Sequence, residues 1–280
     1  MIFTTRFAPS PSGPLHLGHA YSAILAFNVA QKVGGRFLLR IDDLDQSRAR
    51  AHWEQQIYDD LNWLGVTWSD PVHRQSEHKD YYDEGLERLR SQGLTYECRC
   101  NRRDIEAAAS APQEGVPKFG PDGRLYPGTC RDLRLPPSAN TCTRLNMSLA
   151  CTTALPAQFD ETSTNLFGCH KLVAKDLISS VGDVVLERRN MAAAFHLAVV
   201  LDDTLSDVTH VIRGADLFDA TKIHVLLQSL LNLKSPVYHH HRLIRDDTGK
   251  RLAKRDDARA ISTFRNDGAS PGDIRAMVGL

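Results

Sequence analysis

Two histidines three residues apart, His16 and His19, are the first residues whose types and spacing suggest chemistry. They end the stretch RFAPSPSGPLHLGH, which begins at Arg6. Residues 2–8 are rich in β-formers and an apolar-periodic segment follows the loop, so the order strand, tight loop, helix is predicted. In a first helical turn, both imidazoles lie on one face and point back toward the loop. A helix start with unpaired N–H groups and two imidazoles is an anion site, and polyphosphate is the anion we expect.

The alternative for these histidines is an ordinary strand-to-helix turn with two surface imidazoles, and spacing alone does not decide between the two. The full string resembles the opening of the glutamyl-type class I aminoacyl-tRNA synthetases, with His16-Leu17-Gly18-His19 in the place of their HIGH signature. The resemblance implies an ATP site at His16, Gly18 and His19. It also implies that both histidines are catalytic, because they stabilise charge on the phosphates as pyrophosphate leaves.

A second phosphate-binding segment is predicted at residues 249–255, which read GKRLAKR. Flexible lysines after a glycine turn can swing onto phosphates and stabilise charge that develops in the transition state. A solvated basic loop is the alternative for this segment taken alone. The family carries its KMSKS loop here, and the resemblance implies that Lys254 is catalytic and binds ATP. Arg251 and Ala253 depart from the family, in which lysine and serine are commoner at these positions.

Arginines placed for an acidic substrate follow two predicted strands. A buried carboxylate needs such a partner, because an unpaired charge out of water is too costly. Arg6 ends the first strand and Arg213 ends the strand VTHVIR; for both, a surface salt bridge is the alternative. The resemblance implies a pocket for L-glutamate in which Asp42 meets the substrate ammonium. Its predicted residues are Arg6, Ala8, Ser10, Asp42, Phe195 and Arg213.

Two pocket residues depart from the family. Its members commonly have glutamate where Asp42 stands and tyrosine where Phe195 stands. Aspartate is one methylene shorter, so we expect a water to bridge Asp42 to the ammonium. Phe195 offers no hydroxyl, which we expect to cost about 1 to 2 kcal/mol of binding.

Cysteines form the second constellation, Cys98-x-Cys100 followed by Tyr126-x-x-x-Cys130. Two thiolates two residues apart can hold a soft ion, and a third thiolate with one further donor would complete a tetrahedral structural zinc site. Buried thiols are the better interpretation of the CxC pair alone. The resemblance favours zinc, because the truncated members of the family have a site of this form with ligands matching Cys98, Cys100, Tyr126 and Cys130.

Other cysteines and histidines show no such pattern. Cys142, Cys151 and Cys169 fit no ligand spacing and are expected to be thiols. Residues 239–241 are three consecutive histidines, which invite a metal interpretation. Adjacent side chains of a strand alternate between faces, however, so one metal ion could not easily take all three.

The elements that must position these residues begin with a right-handed βαβ unit. Its predicted parts are strand 2–8, helix 15–33 and the buried strand 36–42. Such a unit begins a doubly wound sheet whose ligands bind at the carboxyl ends of its strands. Helices are predicted at residues 46–64 and 76–93, with Ser76 as the N-cap of the second.

The second half of the sheet is predicted from residues 182–188, 195–203 and 208–216, followed by a helix at 221–233. The intervening residues are short pieces with many prolines and glycines, which indicate an insertion. We therefore expect an α/β, Rossmann-type doubly wound parallel sheet with a zinc-bearing insertion. The predicted units are the first half of the catalytic domain, the insertion, the second half, and the KMSKS-like loop with a tail: 1–97, 98–177, 178–234 and 235–280.

Composition excludes little but bounds the partners. Lys plus Arg and Asp plus Glu number 34 each among 280 residues. The chain therefore has no net positive charge that would by itself indicate a nucleic-acid partner. The N-terminus shows no targeting segment, and no apolar run reaches membrane-spanning length. We expect a cytoplasmic monomer with no membrane partner. The chain ends soon after GKRLAKR, so we also expect no anticodon-binding domain.

The resemblance implies a ligase that activates L-glutamate to glutamyl-adenylate with ATP and Mg²⁺. Val199, where full-length glutamyl-tRNA synthetases have asparagine, and VIRGAD resemble the truncated branch, the glutamyl-queuosine tRNA(Asp) synthetases. That branch transfers glutamate to the queuosine base in the anticodon of tRNA(Asp). Two alternatives stay open: a truncated synthetase that charges a tRNA 3′ end, and a catalytically silent nucleotide- or tRNA-binding paralogue.

Overall fold

A computed structural model describes residues 2–68, 71–109, 119–189, 191–245 and 259–280. The predicted KMSKS-like loop, including Lys254, lies outside these residues. Within them, no helix combines the length and apolar character needed to cross a membrane.

The strands and helices are numbered in chain order. The strands are β1 Thr4–Phe7, β2 Arg36–Ile41, β3 His73–Arg74, β4 Thr95–Cys98, β5 Phe119–Gly120, β6 Gly123–Arg124, β7 Cys142–Leu145, β8 Gln158–Glu161, β9 Gly168–Lys171, β10 Val185–Glu187, β11 His210–Gly214 and β12 Val237–His241. The helices are α1 Leu17–Lys32, α2 Ala51–Trp63, α3 Lys79–Ser91, α4 Arg102–Ala109, α5 Met147–Ala154, α6 Ala174–Asp176, α7 Phe195–Leu205, α8 Phe218–Leu230, α9 Ile261–Asn266 and α10 Pro271–Val278.

The predicted βαβ unit is confirmed, since β1 and β2 pair in parallel with α1 between them in sequence. β3 extends this half on the far side of β2. β11 lies on the other side of β1, where the Thr209 N–H donates to the Thr4 carbonyl at 2.9 Å. β12 pairs in parallel with β11. The chain therefore winds outward in both directions from β1 and β11, the arrangement of a doubly wound sheet.

The predicted second half of the sheet is wrong in two places. Residues 182–188 contain β10, which pairs with β7 in a separate antiparallel sheet, and residues 195–203 form helix α7 instead of a strand. Every residue of α7 from His196 to Asp203 is buried, because the helix packs against α3, α8 and β10. A helix buried on all sides carries a continuous apolar run, which periodicity cannot distinguish from a buried strand.

Two helices begin later than predicted. The Asp45 carboxylate accepts from Ser47 and Arg48 in a polar turn, and α2 begins only at Ala51. The Ser76 hydroxyl donates to Asp43 Oδ2 at 2.6 Å instead of capping α3. α3 begins at Lys79.

The middle of the chain forms a small antiparallel sheet in the order β10-β7-β4. Cys98 of β4 stands opposite Cys142 of β7 in its register. β8 instead pairs with β12, and β9 with β8, so these two strands extend the larger sheet. The predicted limits of the four units stay a prediction.

Two apolar cores cover the larger sheet. One is built from α1, α2, β1 and β2 and is closed by Ile261, Phe264 and Ile274 of the last two helices. The other packs α3, α5, α7 and α8 together. Between these cores, at the carboxyl ends of β1, β2 and β11, lies a cavity that most of the predicted pocket residues line.

Candidate active site

The first turn of α1 is built by its own histidines. His16 is the N-cap, and its Nδ1 accepts from the Gly18 N–H at 3.1 Å. His19 Nδ1 accepts from the His16 N–H at 3.1 Å, which completes a reciprocal capping box. A neutral imidazole that accepts at Nδ1 carries its proton on Nε2. Both rings therefore present Nε2–H donors, with ring centroids 3.8 Å apart.

Gly18 leaves room for the capping imidazole of His16. A Cβ at position 18 would lie 3.0 Å from His16 Cε1 and 3.1 Å from Nδ1. These separations are tighter than ordinary van der Waals contact, so a larger residue would shift the imidazole by a few tenths of an ångström.

A cavity of about 380 Å³ collects most of the predicted site residues. It is bounded by β1, the start of α1, the end of β2, α7 and β11. The predicted residues in its wall are Arg6, Ala8, His16, Gly18, His19, Asp42, Phe195 and Arg213. Ser10 is exposed in the loop and is not in this wall. The contribution of Lys254 lies outside the described residues.

Arg6 is held by a buried ion pair. Its Nε and Nη2 donate to the two carboxylate oxygens of Asp203, in α7, at 2.9 and 3.2 Å. Arg40 of β2 donates to the same carboxylate from Nη1 at 2.7 Å. Burial opposes ionisation of Asp203, but the two guanidiniums hold its pKa below the ordinary value. A surface salt bridge is thus excluded for Arg6.

Asp42 is tied to the same network from the cavity wall. Its Oδ1 accepts from Arg40 Nε at 2.7 Å. Burial raises the pKa of Asp42 to about 6, against the opposing effect of the Arg40 guanidinium. A second cation beside Asp42 would stabilise its ionised form, because the cation would offset the cost of burying the carboxylate charge.

Arg213 differs from Arg6 because all its hydrogen-bond partners are neutral. It donates to His240 Nε2 and His224 Nδ1, both at 3.1 Å, and to Thr221 Oγ1 at 2.7 Å. Across the described residues, no carboxylate lies within ion-pair distance of this guanidinium. Burial lowers the pKa of Arg213 to about 10, so it stays charged at neutral pH. The cavity therefore contains a buried cation that an anionic ligand would neutralise.

The second constellation converges at the edge of the small sheet. The sulfur atoms of Cys98, Cys100 and Cys130 lie within 4.8 Å of one another. The Tyr126 hydroxyl lies 3.3 Å from Cys98 Sγ and 3.6 Å from Cys100 Sγ. Zn–S bonds of about 2.3 Å place tetrahedral sulfurs roughly 3.8 Å apart, and Cys100 and Cys130 are 3.5 Å apart. The geometry fits a tetrahedral metal ion.

Cys142 lies beside this cluster, opposite Cys98 in the register of β4 and β7. The neighbouring Cys142 thiol is the largest cause that lowers the pKa of Cys98 to about 4. A low pKa favours the thiolate, which is the form that binds a metal ion. Cys151 and Cys169, one buried and one exposed, are free thiols.

Sequence reasoning missed Arg40 and Asp203. Arg40 could have been found, because an arginine inside the otherwise apolar strand RFLLRI needs a buried partner. Asp203 is the last residue of the segment FHLAVVLDD. Because this segment was predicted as a strand, the direction of the Asp203 side chain toward Arg6 could not be predicted. Arg40 lies in the cavity wall and also bonds to Asp42, whereas Asp203 acts on the cavity through Arg6.

Comparison with known proteins is consistent with this geometry. Residues 3–280 match the family described as tRNA synthetases class I (E and Q), catalytic domain. The chain belongs to this family. It is accordingly a ligase of the aminoacyl-tRNA synthetase type, and the predicted fold class is confirmed.

Curated relatives share most of this length. A glutamyl-Q tRNA(Asp) synthetase of Rhodobacter capsulatus is 59% identical over 99% of each chain. Another from Nocardia farcinica is 40% identical over 98% of this chain and 82% of its own. Both relatives span nearly the whole of the present chain.

Solved structures show the same fold in longer proteins. A glutamate tRNA ligase from Elizabethkingia meningosepticum, in complex with its amino acid, has a TM-score of 0.78 at 24% identity. A methionyl-tRNA synthetase from Mycobacterium tuberculosis, with methionyl-adenylate, has a TM-score of 0.61 at 12% identity. The matches cover 100% and 99% of this chain but only 61% and 64% of those chains.

The thiol cluster yields a prediction about metal content. Cys98→Ser and Cys130→Ser should each lose the bound metal and destabilise the small sheet, because serine is a poor ligand for a soft ion. The cavity at His16 should stay intact. Metal analysis of the purified protein measures the effect, with Cys169→Ser, at an exposed thiol, as the matched control that keeps its metal. Stoichiometric metal in both ligand variants would contradict the assignment.

Proposed function

We propose that the chain activates L-glutamate with ATP and transfers it to the queuosine base in the anticodon of tRNA(Asp). The observation that supports glutamate activation is the position of Arg213. It is a buried cation with neutral partners, and it lines the same cavity as the two histidines that cap α1. A substrate with a carboxylate side chain supplies the missing counter-ion. Glutamine and other neutral amino acids would leave this charge unpaired.

The charged groups at the two ends of glutamate bind protein groups of opposite charge. Its side-chain carboxylate lies against Arg213, with Arg6 nearby, and its ammonium lies against Asp42. Asp42 carries a negative charge that Arg40 only partly offsets, as its raised pKa indicates. Ala8 and Phe195, which also line the cavity, contribute the remaining contacts. The reactive α-carboxylate is then directed toward the start of α1.

ATP reacts at that point. An oxygen of the α-carboxylate attacks the α-phosphorus, the bond from this phosphorus to the bridging oxygen breaks, and pyrophosphate leaves as glutamyl-adenylate forms. The Nε2–H donors of His16 and His19, with the backbone of Gly18, stabilise negative charge on the phosphates. Lys254 adds a further cation, and Mg²⁺ bound to ATP offsets more of the phosphate charge. No protein nucleophile takes part.

Transfer to queuosine is supported by the names of the relatives. The proteins from Rhodobacter capsulatus and Nocardia farcinica are named glutamyl-Q tRNA(Asp) synthetases, and the first aligns over nearly the whole of both chains. In this step the acyl group moves from the adenylate to the base and AMP is released. A structural zinc ion held by Cys98, Cys100, Cys130 and Tyr126 would fix the middle of the chain against β4.

The pH dependence of glutamate activation should follow Asp42. Protonation below about pH 6 removes the charge that binds the ammonium, so kcat/KM for glutamate falls as pH decreases through this value. Asp42→Asn should lower kcat/KM at neutral pH by about 30-fold or more and remove this inflection. Asp45→Asn, at a neighbouring and partly exposed carboxylate, should keep the wild-type profile. A wild-type inflection in the Asp42→Asn enzyme would show that another group titrates.

The tRNA substrate is tested by incorporation of labelled glutamate. Preparations of tRNA(Asp) with and without queuosine are compared, and only the modified tRNA should be labelled. Periodate treatment of the terminal ribose should abolish 3′ charging and spare labelling of the base. Equal labelling of both tRNAs, or loss of all labelling after periodate, would favour a 3′-charging synthetase and overturn the proposal.

A further inference from the structure

The three consecutive histidines of β12 have no role in the mechanism above. They alternate between faces, as expected of a strand. His239 contacts Thr162 Oγ1 at 3.0 Å, whereas His240 points to the opposite face and is buried against Arg213. His240 is stacked parallel to Tyr238, with ring planes 8° apart. The middle histidine is thus locked in one orientation next to the buried cation.

Glu161 fixes the proton of His240. Its carboxylate forms a hydrogen bond with His240 Nδ1 and also accepts from the backbone N–H of Ser163 at 2.7 Å. Because a carboxylate only accepts, the proton of the imidazole lies on Nδ1. His240 Nε2 is then an acceptor and receives the Nε–H of Arg213 at 3.1 Å. The order Glu161, His240, Arg213 is a directed chain of hydrogen bonds.

A second imidazole completes the arrangement on the other side of the guanidinium. His224 Nδ1 accepts from Arg213 Nη1 at 3.1 Å, so its proton lies on Nε2. That proton is donated to His196 Nδ1 at 3.1 Å. The Thr221 hydroxyl accepts from Nη2 at 2.7 Å. Every nitrogen of the guanidinium therefore has a fixed neutral partner, and its positive charge is left for a ligand.

We propose that His240, oriented by Glu161, and His224 on the opposite side are positioning residues that hold Arg213 in register with the side-chain carboxylate of the substrate. This inference rests on the proposed function, since it assigns the substrate carboxylate to Arg213. Neutral imidazoles suit the task because they fix the direction of the guanidinium without neutralising it. A carboxylate in direct contact would fix Arg213 equally well and would compete with the substrate.

The titration of the two rings agrees with this geometry. Burial, and secondarily the Arg213 guanidinium, lower the pKa of His240 to about 4, although Glu161 opposes the change. Burial and Arg213 also hold the pKa of His224 well below its usual value. Both rings are therefore neutral acceptors at neutral pH.

Paired substitutions at position 240 separate the two hydrogen bonds of this ring. His240→Asn places an amide N–H near the position of Nδ1 and keeps the contact with Glu161, but it removes the acceptor for Arg213. His240→Gln places an amide oxygen near the position of Nε2 and keeps that acceptor. His239→Asn makes the first change one residue earlier, on the opposite face, and is the matched control.

The readout is ATP–pyrophosphate exchange with the whole chain. His240→Asn should raise KM for glutamate on the order of tenfold to a hundredfold, the loss expected for a hydrogen bond to a buried charge, while KM for ATP stays within about twofold. His240→Gln should recover most of this loss, and His239→Asn should behave as wild type. Equal KM increases in the His240→Asn and His240→Gln proteins, or no increase in the His240→Asn protein, would overturn the proposal.

Imidazole ¹⁵N NMR of the wild-type protein provides a test that needs no folded variant. His240 should be neutral with its proton on Nδ1, and His224 neutral with its proton on Nε2. The opposite tautomer or a charged ring at either position would overturn the proposed chain of hydrogen bonds. If wild-type protein shows no glutamate-dependent exchange but has these tautomers, the proposed function fails while the hydrogen-bond chain stands; the reverse result rejects the chain alone.

Discussion

Charge balance at the carboxyl ends of β1, β2 and β11 is the constraint on which the site depends. One carboxylate, Asp203, accepts from two arginines on neighbouring strands, Arg6 and Arg40. This pairing joins α7 to the sheet and is costly to break, because removal of one partner would leave a charge in a buried position. A third arginine, Arg213, is buried close by and donates only to neutral partners. The fold thus pairs Arg6 and Arg40 with a carboxylate, whereas the charge of Arg213 can be paired by a ligand.

At the start of α1, each histidine serves both the helix and the site. His16 and His19 satisfy backbone N–H groups of their own helix through Nδ1, and this contact sets the tautomer of each ring. Local folding therefore orients the donors that the chemistry needs before any nucleotide binds. Because preorganised donors need no rearrangement during the reaction, such a turn is well suited to stabilise phosphate charge.

Local patterns in the sequence predicted the strand-loop-helix unit and the spacing of the cysteines. The choice of pocket residues such as Asp42 and Phe195 came from the family resemblance; most of them lie in the wall of one cavity, but Ser10 does not. Prediction failed where the pattern is ambiguous. The apolar run of α7 fits a buried strand as well as a buried helix, and Ser76 is a good N-cap in sequence but bonds to Asp43 in the fold. The ion pairs of Asp203 and the chain from Glu161 to Arg213 join residues far apart in sequence, so no local signal could give them.

We propose that the cavity selects an amino acid with a carboxylate side chain for adenylation. The decisive measurement is ATP–pyrophosphate exchange with glutamate, glutamine and aspartate, in the absence and presence of tRNA. Exchange should depend on glutamate, with glutamine at least about 30-fold less effective because it leaves Arg213 without a counter-ion, and with aspartate less effective because its side chain is one methylene shorter. Exchange that is as fast with glutamine, or none with glutamate even when tRNA is present, would show that the cavity does not select glutamate.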